Sequence, residues 1–189
     1  MAASMDASLA DAVDALRAGG VVAYPTEAVF GLGCDPRRRD AFDRLLAIKQ
    51  RPLAQGVLLI GAAFAQLEPY LDLSAVPREA IGRAQATWPG PHTWIFPRAA
   101  DAPAWISGSH ATIAVRVTAH EPAAALCRAF GGAIVSTSAN RHGQPPARSA
   151  GEIRTELGEL IDAILNGPLG GLERPTPIRD AITGASVRS

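Results

Sequence analysis

The chain has 189 residues, an apolar fraction of 48%, a charged fraction of 19% and a formal net charge of zero. Such a length and composition suit one globular domain with a substantial core and argue against disorder. With no net charge, a polyanionic partner would have to be met by a local basic patch and not by an overall field.

Taken in order, Leu9, Val13 and Leu16 fall at helical spacing after Asp6, and Gly19-Gly20 stops that helix. The apolar run 21–24 between Gly and Pro predicts a buried strand. Asp35-Pro36 predicts a helix start, with Asp as the cap and Pro in the first turn; Phe42, Leu45, Leu46 and Ile48 give its stripe and leave Lys49 near its end. A second central strand is expected at 56–60, helices at 62–71 and 77–88, and strands at 93–96 and 112–117. A helix at 121–130, a strand at 133–136, a polar loop to 148 and a helix at 149–157 follow. The tail from Leu160 carries short strands, one of them at 178–182. Interleaved helices and strands predict a single α/β domain over 1–189, with a sheet that is mixed because the tail strands follow one another through short turns.

Cys34 and Cys127 are far apart and form no CxxC or CxH pattern, and the four histidines lack ligand spacing. No metal site is expected, and two cysteines fit a reducing compartment. Cys34, close to the polar clusters, reads as a packing thiol. No leader pattern is present at the N-terminus and no apolar run nears the ~20 residues of a membrane span, so a soluble, cytoplasmic protein is expected.

Lys49 is the single lysine among 18 basic residues and lies in Ile48-Lys49-Gln50-Arg51-Pro52. Two cations at i, i+2 after a helix suit an anion, and a lysine offers a compact charge with three donors; a solvated face is the other reading. Arg37-Arg38-Arg39 could add a basic patch or could itself be a solvated face. No Walker loop, complete GxGxxG or G-x-S-x-G elbow occurs, and Ser138 with His142 is too local for a nucleophile–base pair. Polar clusters sit instead beside the strands, at 24–31, 49–52, 88–93 and 136–140. Such clusters serve turns, but in open α/β sheets ligands also gather outside strand ends, and these clusters would suit a polyphosphate, its sugar and its base.

The runs YPTEAVFGLGCDP, IKQRP, WPGPHT, AVRVTAHEP, IVSTSANRHGQPP and PTPIRDAITG, in this order and spacing, resemble the YrdC/TsaC family of threonylcarbamoyl-adenylate synthases. The resemblance runs from about Leu9 to Arg188, and Lys-x-Arg followed about ninety residues later by Ser-x-Asn is its most specific element. It implies a short single-domain form, with a twisted mixed sheet flanked by helices and a concave basic cleft. It implies condensation of L-threonine, bicarbonate and ATP into threonylcarbamoyl-AMP with release of pyrophosphate, for the t6A modification of tRNA. On these residues it implies Lys49 and Arg51 as catalytic groups that also hold ATP. Ser136, Ser138, Asn140 and Arg188 complete the ATP side, and Thr26, Arg116 and Thr176 take threonine, Arg116 meeting its carboxylate. Magnesium is expected, held mainly by the phosphates and not requiring a protein ligand, and tRNA and the downstream threonylcarbamoyl transferase proteins are candidate partners. His92 stands where the family often has an aliphatic residue, and Ala28 where longer relatives have a threonine. Two rivals remain at this point: a non-catalytic RNA-binding module, which zero net charge and few aromatics fit poorly, and a carbamoyl-adenylate-handling relative from hydrogenase maturation, whose zinc-finger and acylphosphatase-like segments do not occur in this sequence.

Overall fold

The computed structural model describes residues 6–173 and 176–188, with Asp6 and Arg188 described by their backbone alone. A short strand β1 (Asp6–Ala7) leads into α1 (Leu9–Arg17). Ser8 caps α1, its hydroxyl accepting from Asp11 N at 3.2 Å while the Asp11 carboxylate accepts from Ser8 N at 3.0 Å, a reciprocal capping box. Strands β2 (Val22–Pro25) and β3 (Phe30–Gly33) form a hairpin; β3 was not foreseen from the sequence.

Helix α2 (Arg39–Lys49) buries Phe42, Leu45, Leu46 and Ile48 as the stripe predicts, but it starts later than expected. Asp35 does not cap it: its carboxylate accepts from Arg37 N at 2.9 Å and from the Arg37 guanidinium, closing a turn ahead of the helix. Strand β4 (Leu58–Gly61) follows a 3-10 turn. The helix expected at 62–71 is two 3-10 turns, Phe64–Gln66 and Glu68–Tyr70, because Pro69 supplies no amide donor to carry an α-helix through. Then come α3 (Arg78–Gln85), β5 (Thr93–Pro97), the single turn α4 (Ala104–Ser107) and β6 (Thr112–Val117). They are followed by α5 (Glu121–Phe130), β7 (Ile134–Ser138), α6 (Ala150–Leu157), β8 (Ala163–Leu165), β9 (Ile178–Asp180) and β10 (Ser186–Arg188).

Among the described residues the strands form one ten-stranded sheet in the order β1-β8-β2-β3-β7-β4-β6-β5-β9-β10. It is mixed, as expected: in the tail β9 and β10 pair antiparallel through a short turn, while β8 and β9 join parallel to β2 and β5 on opposite flanks and β4 lies parallel to β6 within the sheet. β7 is the pivot: Ile134, Val135 and Ser136 pair with β4, while Thr137 and Ser138 pair with β3.

Alternation along the strands sorts the two faces. Leu32, Leu59, Trp94, Phe96, Val115 and Val135 pack on one side with α2, α3 and α6 residues. Tyr24, Ile60 and Ile134 lie on the other under α1 and α5. Each fully buried Leu, Ile or Phe contributes roughly 1.5–3 kcal/mol. Since α1 and α5 cover only part of their face, the rest of it is left for a cavity.

Candidate active site

The uncovered part of that face lines a cavity of about 670 Å³. Same-face positions of neighbouring strands supply its floor: Gly31 and Ser138, Ser136 and Leu58, Ala114 and Ile95, with Arg116 one step further along β6. Thr112, near one end of this floor, and Arg116, at the other, are four residues apart on β6, about 13 Å at ~3.3 Å per residue.

At the Arg116 end the polar groups are buried. Arg116 is 5% exposed, and its Nη1 donates to Thr176 Oγ1 at 2.9 Å and to Thr93 Oγ1 at 3.4 Å. Its Nη2 lies 3.4 Å from Oε2 of Glu27, a residue on the β2–β3 turn. Glu27 Oε1 accepts from Thr118 Oγ1 at 2.7 Å, whereas Glu27 Oε2 and Arg116 Nε are buried without a hydrogen-bond partner. Each such orphan costs roughly 1–3 kcal/mol. Residues 166–173 cross over this turn, with Gly170 N donating to Thr26 O at 3.0 Å and Leu172 N to Glu27 O at 2.9 Å. Gly170 is needed there, because a Cβ would stand 2.8 Å from Glu27 Cα. Thr26 lines the cavity, but its hydroxyl donates to Val29 O at 2.6 Å inside the turn.

The other end is built by the exit of α2. Gln50 takes a left-handed conformation (φ 53°), and the chain turns so that Arg51 enters the cavity wall. Arg51 Nη2 donates to Gly56 O at 2.8 Å, Nη1 to Thr137 Oγ1 at 3.5 Å, and Nε is buried without a partner. Burial lowers the Arg51 pKa, yet a guanidinium stays charged.

Lys49 sits behind this wall, 4% exposed, and its side chain is not part of the lining. Its ammonium donates to Ser138 O, to Asn140 O at 2.9 Å and to Asn140 Oδ1 at 3.2 Å, occupying all three of its protons. Burial, and then the neighbouring Arg51 charge, lower its pKa to about 8. Asn140 Oδ1 also accepts from the Ser138 hydroxyl at 2.6 Å, and Asn140 Nδ2 donates to Gln144 O at 2.7 Å.

The sequence-derived residues therefore gather, but unequally. Thr26, Arg51, Arg116, Ser136, Ser138 and Thr176 line one cavity, and Lys49 and Asn140 brace its wall from behind. Val187 reaches the lining, while the Arg188 side chain and Pro175 lie outside the described residues. Glu27, the one carboxylate in the lining among the described residues, was missed; it stood inside the first conspicuous run, between Thr26 and Ala28. The arginine run adds no charge to the cavity, since Arg37, Arg38 and Arg39 pair with Asp35, Asp40 and Asp43. Cys34 is fully buried in the core with its thiol pKa raised by desolvation, which suits packing. The His92 ring is not in the lining; its carbonyl accepts from Trp88 Nε1 at 2.7 Å.

Among the described residues no group of three or more His, Cys, Asp or Glu could hold a metal, and no helix is long and apolar enough to cross a membrane.

Comparison with known proteins places this geometry. The model of the Sua5/YciO/YrdC family, described as telomere recombination, matches residues 14–188. The threonylcarbamoyl-AMP synthase of Halorhodospira halophila (strain DSM 244 / SL1) is 60% identical over 173 residues, which are 92% of this chain and 90% of that one. The structure of P. abyssi Sua5 complexed with L-threonine superposes with a TM-score of 0.85 at 32% identity, covering 91% of this chain and 50% of that longer one. E. coli YciO superposes with a TM-score of 0.79 at 27% identity, covering 96% of this chain and 90% of that one. The chain belongs to the Sua5/YciO/YrdC family.

Proposed function

We propose that this protein is an L-threonylcarbamoyladenylate synthase, joining L-threonine, bicarbonate and ATP and releasing pyrophosphate, in the service of tRNA t6A modification. The observation that carries the reading is one cavity with a guanidinium at each end. Arg116, with Thr93, Thr176 and Glu27 around it, faces the amino acid; Arg51, beside Ser136 and Ser138, faces the phosphates. The volume lies within the range of small-molecule sites. A chain 60% identical and named threonylcarbamoyl-AMP synthase supports the same reaction.

The chemistry suits these side chains. Threonine nitrogen takes up the bicarbonate carbon to give a carbamate and water. A carbamate oxygen then attacks the α-phosphorus of ATP, and the bond to the β-phosphate oxygen breaks. No protein nucleophile is required. The protein has to bring two mutually repelling anions together and stabilise charge on the departing pyrophosphate. Arg116 takes the threonine carboxylate, and the hydroxyls of Thr26, Thr93 and Thr176 surround its side chain. Arg51 and the Ser138 hydroxyl take the phosphates, with Arg188 expected nearby. Lys49 adds a buried positive charge directly behind them, meeting a phosphate oxygen that displaces one of its acceptors. Magnesium would arrive on the triphosphate, held by its oxygens, and would neutralise charge there. Cytoplasmic location and contact with tRNA or the downstream transferase proteins belong to the same proposal.

The RNA-binding alternative is not favoured: the arginine run is already paired with carboxylates, and the cavity is deep and partly apolar. The test is pyrophosphate release by purified protein. Release should require threonine and bicarbonate together; ATP turnover indifferent to either one would refute the reading.

A further inference from the structure

We infer that Glu27 is a catalytic residue: its Oε2 receives the α-ammonium of threonine and takes the proton lost when that nitrogen is carboxylated. This rests on the function proposed above and adds to it a residue and a step.

The carboxylate of Glu27 is unevenly partnered. Glu27 is 7% exposed, lines the cavity, and has one oxygen held by Thr118 and the other without a hydrogen bond. A buried carboxylate oxygen that has a cation 3.4 Å away and still forms no hydrogen bond is an acceptor left unused, on a residue that lines the cavity. Beside it, Arg116 has Nε in the same condition. Carboxylate and guanidinium thus stand side by side, each with capacity unused. An amino-acid zwitterion carries the complementary pair at a similar spacing, ammonium to Glu27 and carboxylate to Arg116. Such a dipole lies antiparallel to the protein pair, so binding buries no net charge and supplies partners to both sides.

The reaction also needs a base at this point. A threonine ammonium and bicarbonate give a carbamate, one water and one proton: the N–C bond forms, a C–O bond of bicarbonate breaks, and hydroxide leaves with one nitrogen proton as water. The nitrogen must shed a second proton, and among the described residues the only carboxylate in the lining is Glu27. Its position is set from three directions, by Thr118 at the end of β6, by Arg116 and by residue 172 through its backbone. Other titratable groups in its surroundings are Tyr24 of β2, which interacts with it electrostatically, and His120 ahead of α5, whose ring and the Glu27 backbone both lie against Gly170. Tyr24 has its pKa raised by burial, which keeps it protonated and out of this role.

Two experiments test the inference. In wild-type protein, calorimetry compares threonine with 2,3-dihydroxybutyrate of matching configuration, in which a hydroxyl replaces the ammonium. The analogue should bind about 10–100-fold more weakly, the loss of a charge-assisted contact; equal affinity overturns the inference whether or not any variant folds. In Glu27→Gln, kcat/KM for threonine at pH 7 should fall by about 10²-fold or more, while ATP affinity changes less than about twofold. Raising the pH towards the α-amino pKa should recover part of the loss, because threonine then arrives deprotonated, and a merely structural role for Glu27 gives no such recovery. Full threonine turnover in the variant overturns the inference. A wild-type protein that makes no adenylate removes the parent reading instead; the analogue comparison repeated in Glu27→Gln, where the preference for the ammonium should vanish, then still decides whether an ammonium sits on Glu27.

Discussion

The Lys49 ammonium donates to the backbone oxygen of Asn140 at 2.9 Å and to its side-chain oxygen at 3.2 Å, tying the end of α2 to the loop that follows β7. These residues lie 91 positions apart, and their contact shapes the wall on which Arg51 and Ser138 meet the cavity. Replacing Lys49 with Ala removes three hydrogen bonds and a buried charge at once. The expected outcome is a fall in kcat/KM for ATP on the order of 10²–10³-fold, with threonine affinity little changed. Lys49→Arg should not restore activity, since a planar guanidinium cannot aim three donors at one point. Steady-state pyrophosphate release checks both variants.

The charge on Lys49 should be visible in the pH dependence of nucleotide binding. Its pKa in the fold is about 8, against an ordinary 10.5. The ammonium is therefore present below pH 8 and lost as pH rises through it. At pH 9 about one molecule in eleven keeps the proton, so ATP affinity should drop roughly tenfold from its pH 7 value. Lys49→Ala should lack this limb in a calorimetric titration. The unfolded chain holds the proton up to about 10.5, so between pH 8 and 10.5 the unfolded state binds more protons. This group's contribution to stability accordingly increases with pH over that window.

Thr176 is an acceptor for Arg116 at 2.9 Å in the buried end of the cavity. Thr176→Val keeps the shape and leaves a buried guanidinium hydrogen without its nearest oxygen, a loss of about 1–3 kcal/mol. Threonine kcat/KM should fall about 10-fold or more, with ATP affinity unaffected. The wild-type protein should also use serine, at a kcat/KM only about 10–200-fold below that for threonine, because one methyl group is worth ~1–3 kcal/mol. Competition between the two labelled amino acids measures the ratio.

Gly33 tests the sheet beneath the cavity. A Cβ there would stand 2.5 Å from Val135 O and 2.9 Å from the Tyr24 ring. The strand must shift, and Gly33→Ala should destabilise by about 1–3 kcal/mol. Thermal unfolding should report a midpoint lower by about 2–4 °C for each kcal/mol lost.

Much of this was legible in the sequence. The bounds of β6 and α5 follow from unbroken β-branched alternation in one and from a Pro start and Gly131 stop in the other. β3 was hidden because two of its four residues are glycines, which carry no strand signal; their smallness lets the Tyr24 ring lie across them. The order of the strands was not legible, because it is set by long connections that no local pattern encodes. In the site, residue types pointed to Lys49, Arg51 and the cluster with Ser138, and the family resemblance to Arg116, but nothing in a sequence says that the acceptors around Lys49 are carbonyls of the opposite loop. Glu27 escaped notice because its meaning comes from Arg116, 89 residues away, and from a lining in which it is the one carboxylate among the described residues.

The central claim is that one cavity joins threonine, bicarbonate and the α-phosphate of ATP. Radiolabelled bicarbonate, incubated with protein, ATP and threonine, addresses it most directly. Label should appear in an adenylate that releases threonylcarbamate and AMP on hydrolysis, with none formed when threonine or ATP is omitted and strongly reduced formation in Arg116→Ala and in Arg51→Ala. Label in no adenylate, or undiminished labelling in both variants, would contradict it.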